Sequence, residues 1–255
     1  MENKEIIEKI INKKEFSQLP INDVKLAFSH FKKRKISEEE KIRLTRELLH
    51  KVYGAFVSRK LLNLRYRSPE WVLKKHISTR ERVQYYNEIY DRLFKNFSGI
   101  IFDLGAGVNG FSYIYFKKKF KYIGIEAIGQ FVKLMNLFFK KEKINGRAIH
   151  LSLFELEKIK KIVKNSRGRK IIILFKVIDS IEMMQKNYSK RLLLELTPLV
   201  EKLIISFSTE SMGTRKKFNV TRRWIINFIQ ENFKILDCFE IKNERFIVFS
   251  SKSTS

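Results

Sequence analysis

The stretch IIFDLGAGVNG, residues Ile100 to Gly110, decides the fold of this chain. Apolar residues lead into Asp103, glycines follow, and the next segment, FSYIYFKKKF, predicts a helix. A strand that enters a glycine-rich turn and leaves into a helix is typical of the first unit of a doubly wound α/β sheet. Gly105 and Gly107 would let the backbone come close to a ligand. Asp103 and Asn109 place polar groups at the carboxyl edge of the strand, where such sheets bind ligands.

The spacing Gly-x-Gly-x-x-Gly, which ends at Gly110, fits two kinds of ligand, a dinucleotide and S-adenosylmethionine (SAM). The segment KYIGIEAIG predicts a second strand that ends at Glu126, 19 residues after Gly107. An acid at that position can accept hydrogen bonds from both hydroxyls of a ribose, which both ligands carry. The sequence DLGAG resembles the first motif of class I methyltransferases and so favours SAM. A tight turn that binds no ligand is the remaining interpretation of the glycines.

Positive charge dominates the composition. The 255 residues include 53 Lys and Arg against 27 Asp and Glu, which gives a net charge of +26. Nine basic residues and two acids lie between Lys51 and Arg82. Such a surplus attracts polyanions, so RNA, DNA or an anionic membrane are candidate partners. A lysine-rich composition shared by a whole proteome is the alternative explanation.

The composition also excludes several classes of protein. No uncharged apolar run reaches the length of about 18 residues that a membrane span needs, so we predict no membrane segment. The charged start, MENKEIIEKI, predicts no secretory signal. Cys238 is the single cysteine, which rules out intramolecular disulfides and thiolate zinc sites, and no metal site is predicted. We therefore expect a cytoplasmic protein.

Residues 1–72 predict a small helical domain that binds RNA. Apolar residues recur at helical spacing in several segments, and Asn22 or Asp23 can cap the second helix. Ser37 has the spacing of a capping box that opens a third helix. Ser68, followed by proline, can open a fourth.

Residues 73–255 predict an α/β domain with a seven-stranded sheet. Strand-like runs are GRAIHL, KIIILFK, EKLIISF, FKILDCFEI and ERFIVFSS, in addition to the two strands above. Helices are predicted over residues 76–94, 178–196 and 222–232. The last two strands are so close in sequence that they must form an antiparallel hairpin around Lys242 and Asn243. This ending is typical of the Rossmann-like sheet of class I SAM-dependent methyltransferases and not of a dinucleotide-binding sheet.

Several motifs, taken in order, resemble the aminoglycoside-resistance family of 16S rRNA methyltransferases. These motifs are HISTRER, YYNEIYDRLF, DLGAGVN, LFKVIDSIEMMQ and IISFSTESMGTRKK, together with Glu126. The likeness extends from LLHKVYGAFVS to NERFIVF. Members of that family have an N-terminal helical RNA-binding domain and methylate N7 of one guanine in the decoding centre. The resemblance implies SAM as cofactor and the small ribosomal subunit or its rRNA as partner, and we expect a monomer.

The resemblance also implies roles for individual residues. Arg82 matches the arginine that holds the SAM carboxylate, with Thr79 beside it, Glu126 matches the ribose acid, and Gln185 matches a glutamine near SAM and the target base. The predicted cofactor-binding residues are Thr79, Arg82, Asp103, Gly105, Gly107, Glu126, Leu151, Ser152 and Gln185.

The chain departs from the family at several positions. Leu151 and Ser152 stand where the family has a glutamine and an acid that contacts the adenine amino group. Phe56 replaces a tyrosine, Glu210 replaces a basic residue, and the family's proline is missing at Ser208. These differences indicate a divergent relative and leave the target nucleotide open.

Guanine N7 offers a lone pair without a proton to remove, so no catalytic acid or base is assigned. Phe111 and Trp224 are candidates for stacking on a base. The predicted RNA-binding residues are Lys32, Lys33, Arg34, Lys60, Arg65, Arg67, Arg215, Lys216 and Lys217. The alternatives are a SAM-dependent methyltransferase of another RNA or of a protein, and a non-catalytic RNA-binding module of the same fold.

Overall fold

The computed structural model describes residues 2–54, 58–62, 67–209 and 222–252. The N-terminal part of the chain is helical. Its elements are α1 (Glu2–Ile11), α2 (Ile21–Lys32), α3 (Glu38–Leu49), a π-helical turn (His50–Gly54), a 3₁₀ turn (Arg59–Leu62) and α4 (Pro69–Lys75).

Two of the predicted helix starts are confirmed, and one is wrong. The Ser37 hydroxyl accepts the Glu40 N–H at 3.2 Å and opens α3, and Ser68 opens α4 in the same way. The second helix was expected to be capped by Asn22 or Asp23, but Pro20 occupies the capping position and Asp23 lies inside the first turn. The Asp23 carboxylate is buried and accepts hydrogen bonds from distant side chains, so it is not available to cap its own helix.

The rest of the chain alternates between helices and strands. The helices are α5 (Ile77–Arg80), α6 (Tyr86–Phe94), α7 (Gly129–Lys141), α8 (Leu156–Asn165), α9 (Ile178–Met184), α10 (Tyr188–Leu196) and α11 (Arg223–Asn232). The strands are β1 (Ile100–Leu104), β2 (Lys121–Glu126), β3 (Gly146–His150), β4 (Lys170–Phe175), β5 (Lys202–Ser208), β6 (Phe233–Ile241) and β7 (Glu244–Ser251). Short 3₁₀ turns cover Asn109–Tyr115 and Thr197–Leu199.

The seven described strands form one sheet in the order β3-β2-β1-β4-β5-β7-β6. The first five strands run parallel, and β7 lies antiparallel to both β5 and β6. The predicted strands and the terminal hairpin are confirmed. β1 and β4 are parallel neighbours at the centre of the sheet, and the order in which the chain adds strands reverses between them. Their carboxyl ends therefore flank the crevice where open α/β sheets bind ligands.

Three predicted helices differ from the structure. The segment after the glycine turn forms the 3₁₀ turn Asn109–Tyr115, because its aromatic rings stack on α6: Tyr115 lies on Tyr86 at 5.2 Å. The helix expected over 76–94 is divided into α5 and α6. The helix expected over 178–196 breaks after α9, where Asn187 has a left-handed backbone with φ of 63°. Among the described residues, no helix is long and apolar enough to cross a membrane.

Apolar side chains fill both faces of the sheet. On one face, buried residues of α1 to α4 belong to the same continuous cluster as residues of β1, β2 and α7. Residues of α8 to α11 cover the other face. The boundary between residues 72 and 73 stays a prediction, and the apolar core runs across it.

Truncating a core residue of α1 tests whether the two parts of the chain unfold together. Ile10 is fully buried, so Ile10→Ala should lower the free energy of unfolding by about 2–5 kcal/mol through the cavity it leaves. Denaturant unfolding followed by circular dichroism and by tryptophan fluorescence should show a single, earlier transition. Ile21→Ala, at a residue 44% exposed, is the control and should cost less than about 0.5 kcal/mol. Two transitions, of which Ile10→Ala shifts only one, would show independent folding of the helical part.

Candidate active site

The glycine turn after β1 has the conformation that the sequence predicts. Gly105 and Gly107 have φ of +71° and +55°, a region that side chains disfavour. A Cβ on Gly105 would lie 2.8 Å from Val177, and a Cβ on Gly107 would lie 2.9 Å from the His76 ring. Both positions therefore need glycine for space as well as for backbone conformation.

Glu126, at the end of β2, holds this turn in place. Its Oε2 accepts the Gly107 N–H and its Oε1 accepts the Ile128 N–H, each at 2.7 Å. Burial raises the pKa of Glu126 to about 7 despite these two hydrogen bonds. Each carboxylate oxygen keeps a further lone pair, so the group can also accept hydrogen bonds from hydroxyls of a ligand.

A pocket of about 700 Å³, which includes open solvent at its mouth, lies above this turn. It is lined by Val52, Tyr53, His76, Ser78, Gly105, Gly107, Glu126, Ala127, Ile128, Phe131, Leu153, Phe154, Phe175, Lys176, Val177, Ser180 and Ile181. These residues follow the ends of β3, β2, β1 and β4, with a contribution from the N-terminal helical part. The pocket thus lies at the edge of the sheet that the sequence predicts.

The pocket lining combines apolar and polar residues. After β2 and β3 it includes the apolar side chains of Ile128, Leu153 and Phe154. After β4 it includes Lys176 among apolar neighbours, and Ser78 comes from α5. An elongated ligand with an apolar ring at one end and a charged group at the other matches this distribution.

A cluster of buried charges lies under the β4 end. Arg82 is 2% exposed, and its Nε lies 2.9 Å from each oxygen of Glu244, while its Nη2 donates to Ser78 at 2.9 Å. The Lys176 ammonium lies 3.2 Å from Glu244 and also contacts Glu81. Arg82 is therefore behind the pocket wall, and Lys176 and Ser78 are part of that wall. The contact of Arg82 with a ligand carboxylate stays a prediction.

Lys176 and Glu244 are not among the site residues predicted from the sequence. Lys176 follows directly on a buried strand, in the same way as Asp103 and Glu126 lie at strand ends, so the strand pattern could have indicated it. Glu244 begins the terminal hairpin, and its partner Arg82 is 162 positions away in the sequence. No local pattern links these two residues.

Asp103 lies beneath the turn and is not among the residues that line the pocket. It is 1% exposed, and its Oδ2 accepts hydrogen bonds from Asn109 at 2.7 Å and Tyr122 at 2.5 Å. Asn109 in turn accepts a hydrogen bond from Tyr86 at 2.7 Å. Burial raises the pKa of Asp103. This network supports the turn from below, and a direct ligand contact by Asp103 stays a prediction.

The other predicted cofactor residues also lie outside the pocket lining. Thr79 donates to the Leu73 carbonyl at 2.7 Å and so ties α4 to α5. The Leu151 N–H donates to the Glu126 carbonyl at 3.1 Å, and Gln185 is exposed just after α9. Their proposed contacts with a cofactor stay predictions.

Ser152 is fully buried and donates to Asp23 of α2 at 2.5 Å. From the sequence, Asp23 is predicted only as a possible helix cap, and its contact with Ser152 joins residues 129 positions apart. Phe56 and Glu210, two of the departures from the family, lie outside the described residues.

The two aromatic candidates for base stacking differ in their exposure to solvent. Phe111 is 1% exposed and stacks on Phe138 with ring centroids 4.5 Å apart, so it belongs to the core and its proposed stacking role is wrong. Trp224 is 38% exposed at the start of α11, with the Lys190 ammonium 6.0 Å from its ring. Trp224 therefore remains a candidate.

Part of the predicted basic surface is described. Lys32, Lys33 and Arg34 are exposed at the end of α2. His30, on the same helix, lies 2.9 Å from the Met184 carbonyl, which places this end of α2 beside the end of α9. Lys60 and Arg67 are also exposed. The remaining predicted RNA contacts, Arg65, Arg215, Lys216 and Lys217, lie outside the described residues. Within the described ranges, no group of three or more His, Cys, Asp and Glu could hold a metal ion.

Comparisons with known proteins rest on structure alone. No model of a protein family and no curated protein sequence matches the chain. The 16S rRNA methyltransferase RmtF, solved with S-adenosyl-L-homocysteine, matches with a TM-score of 0.80 at 17% identity over 98% of both chains. The 16S rRNA methylase RmtB matches with a TM-score of 0.76 at 16% identity over 98% of both chains. An rRNA methylase from Escherichia coli matches with a TM-score of 0.75 at 17% identity over 98% of this chain and 99% of that chain.

The chain has the fold of these methyltransferases. The predicted class I methyltransferase sheet, with its antiparallel last strand and its added N-terminal helices, is confirmed. The matches extend over nearly the full length of both chains, so the N-terminal helices are part of the shared fold. At these identities the likeness concerns the fold, and function has to be argued from the site.

The raised pKa of Glu126 predicts a specific dependence of stability on pH. Because this pKa is about 7 in the folded chain and 4.5 in a free glutamate, the folded state binds more protons between those values. The stability is therefore fully present below about pH 4.5 and falls as the pH rises to about 7, by ~3 kcal/mol. The free energy of unfolding is measured with denaturant at a series of pH values. In Glu126→Gln, the fall in this free energy that Glu126 causes between about pH 4.5 and 7 should be absent. Glu8→Gln, at an exposed acid of α1, is the matched control and should follow the wild type. Parallel pH curves for Glu126→Gln and the wild type would contradict the assignment.

Proposed function

We propose that this chain is a SAM-dependent RNA methyltransferase that methylates N7 of a guanine in the decoding region of 16S rRNA. The observation that supports this most strongly is the pair formed by the glycine turn and Glu126, at the carboxyl edge of a sheet with a methyltransferase fold. The solved structures with this fold include 16S rRNA methyltransferases, one of them with S-adenosyl-L-homocysteine bound.

The pocket fits SAM in shape and in chemistry. The turn at Gly105 and Gly107 leaves space that a Cβ would fill, and Glu126 can accept hydrogen bonds from two ribose hydroxyls. The apolar β3 end suits the adenine ring. The hydroxyl and ammonium groups of Ser78 and Lys176 at the β4 end suit the amino acid part of the cofactor. When bound, SAM supplies the methyl group.

Arg82 would act on the cofactor carboxylate together with Lys176. Both cations already face Glu244, so the cofactor carboxylate has to share them with this residue. Charge-assisted hydrogen bonds from Arg82 would be strong, because the site is buried. Thr79, which ties α5 to α4, would support Arg82, and Asp103 would support the glycine turn.

The chain contributes orientation to the methyl transfer. The reaction is an in-line displacement at a methyl group, so holding the two reactants in the correct geometry is the main contribution that a protein can make. Guanine N7 attacks with a lone pair that carries no proton, and a general base is unnecessary. Gln185 would position the target base next to α9, and Leu151 and Ser152 would form the floor at the adenine end.

Binding of RNA would use the basic residues at the end of α2, which lies beside the end of α9. Lys32, Lys33 and Arg34 are exposed beside the end of α9, where Gln185 lies. Phosphate contacts by such residues fix the position of an RNA without reading its sequence. The other proposed RNA contacts are Lys60, Arg65, Arg67, Arg215, Lys216 and Lys217. The small subunit or its rRNA is the proposed partner, and the protein would act in the cytoplasm as a monomer.

Substitution of the glycine turn should remove SAM binding. In Gly107→Asp, the side chain meets the His76 ring, occupies the space above the turn and adds a negative charge beside Glu126. Isothermal titration calorimetry should show binding of SAM to the wild type and none to this variant. Gly168→Asp is the matched control, because Gly168 also has positive φ but an added Cβ there would have open space around it. Equal affinity in both variants would show that the turn does not bind the cofactor.

Transfer of labelled methyl groups tests the whole proposal. Small subunits, naked rRNA and tRNA are incubated in parallel with the protein and labelled SAM, and the modified nucleoside is identified. We expect 7-methylguanosine in 16S rRNA, and borohydride with aniline should cleave the product at one guanine. The single-turnover rate should be nearly flat between about pH 6.5 and 8.5, because no deprotonation is needed.

Other outcomes would each select a different function. Label in tRNA or in protein would indicate a methyltransferase with another substrate. Binding of RNA without binding of SAM would indicate a non-catalytic module. A different modified nucleoside in 16S rRNA would overturn the proposed target atom while leaving the cofactor in place.

A further inference from the structure

Asp23 brings a buried carboxylate from helix α2 to the β3 end of the pocket. The residue is 1% exposed. Its Oδ2 accepts a hydrogen bond from the Tyr53 hydroxyl at 2.6 Å, and its Oδ1 accepts one from the Ser152 hydroxyl at 2.5 Å. The three side chains come from three segments that are far apart in the sequence.

The two hydroxyl partners of Asp23 connect it to two segments that line the pocket. Tyr53 lies in the π-helical turn of the N-terminal part and lines the pocket itself. Ser152 follows β3, and its oxygen accepts the N–H of Phe154 at 3.0 Å. Phe154 and its neighbour Leu153 also line the pocket. Asp23 therefore links two segments of the pocket lining.

The hydrogen bonds to Asp23 fix where the hydroxyl protons point. Tyr53 and Ser152 both donate to the Asp23 carboxylate, which as an anion can only accept hydrogen bonds. The Ser152 oxygen then accepts from the backbone of Phe154. The Tyr53 oxygen can take part in further hydrogen bonds only as an acceptor. Burial and the nearby Asp23 raise the pKa of Tyr53 well above its usual value, which keeps the phenol protonated.

An acceptor of this kind in an apolar pocket discriminates between rings by their polar substituents. A ring with an exocyclic amine can donate to the Tyr53 oxygen. A ring with a carbonyl at the same position presents a second acceptor, and two acceptors repel each other. A site built for one hydrogen-bonding pattern rejects the other strongly, because buried polar groups would be left unpaired.

We propose that the Tyr53 oxygen accepts a hydrogen bond from the adenine amino group of the cofactor. Asp23 is the positioning residue, because it accepts the hydrogen bond that Tyr53 donates and so leaves the Tyr53 oxygen only as an acceptor. This inference rests on the proposed function, because it assumes an adenosyl cofactor with its ribose at Glu126. Glu126 ends β2, so the base of such a cofactor would extend to the neighbouring β3 side, where the Tyr53 and Ser152 hydroxyls converge on Asp23. Tyr53 is then the residue that determines specificity for the base.

Calorimetry with two ligands tests this inference on the full-length protein. S-adenosyl-L-homocysteine carries the amine, and S-inosyl-L-homocysteine carries a carbonyl in its place. The wild type should bind the adenosyl ligand at least about tenfold more tightly. Tyr53→Phe should reduce this ratio to within about twofold, and Asp23→Ala should give an intermediate ratio, because the Tyr53 hydroxyl is then free to rotate and donate.

The ratio of the affinities for the adenosyl and inosyl ligands separates recognition of the amine from a purely structural effect. Tyr188→Phe is the matched control: the Tyr188 hydroxyl donates to the Leu153 carbonyl at 2.9 Å and supports the same wall. Its loss should weaken both ligands by a similar factor and leave the ratio unchanged. Loss of packing at Tyr53 would likewise weaken both ligands equally.

Each further outcome overturns a defined statement. If Tyr53→Phe kept the full wild-type ratio, Tyr53 would not read the amine. If the wild type bound both ligands equally, this inference would fail while the adenosyl cofactor of the proposed function would stand. If it bound neither ligand, the proposed function would fail together with the inference.

Discussion

The hydrogen bond from the Gly107 N–H to the Glu126 carboxylate is the contact on which the candidate site depends. It joins the turn after β1 to the end of β2, and Glu126 also accepts the N–H of Ile128, which precedes α7. Three segments of the chain are thus fixed around one buried carboxylate. Its raised pKa shows that burial outweighs these hydrogen bonds, so part of the folding free energy is used to keep this group in an apolar surrounding. That cost is typical of a group placed for binding.

Much of the fold could be predicted from the sequence because its signals are local. Runs of β-branched and apolar residues mark each strand, and the short connection before Glu244 requires a hairpin. The glycine turn and Glu126 could also be predicted, because each lies at the end of such a run. The helices around 81–85 and 185–187 were predicted less well. At the first point Arg82 forms a buried ion pair with Glu244, and at the second Asn187 has a left-handed backbone, so tertiary contacts and local conformation outweigh the helical periodicity.

The parts of the site that could not be predicted depend on contacts between distant segments. Arg82 and Glu244 are 162 positions apart, and Ser152 and Asp23 are 129 positions apart. An acid near the start of a helix has an obvious local role as a cap, and this local interpretation concealed the position of Asp23 in the tertiary structure. Similarity to a family can supply the role of a matching residue. It cannot supply a contact that this chain makes between residues the motifs do not contain.

The apolar cluster that joins α1 to α4 with the sheet has a consequence for the RNA substrate proposed above. Helices that share a core with the sheet cannot turn relative to the pocket, so the basic end of α2 and the pocket are held at a set separation. If the proposed RNA is bound with its phosphates at the basic end of α2, the nucleotide that reaches the pocket would be selected by the shape of the folded RNA between these two points.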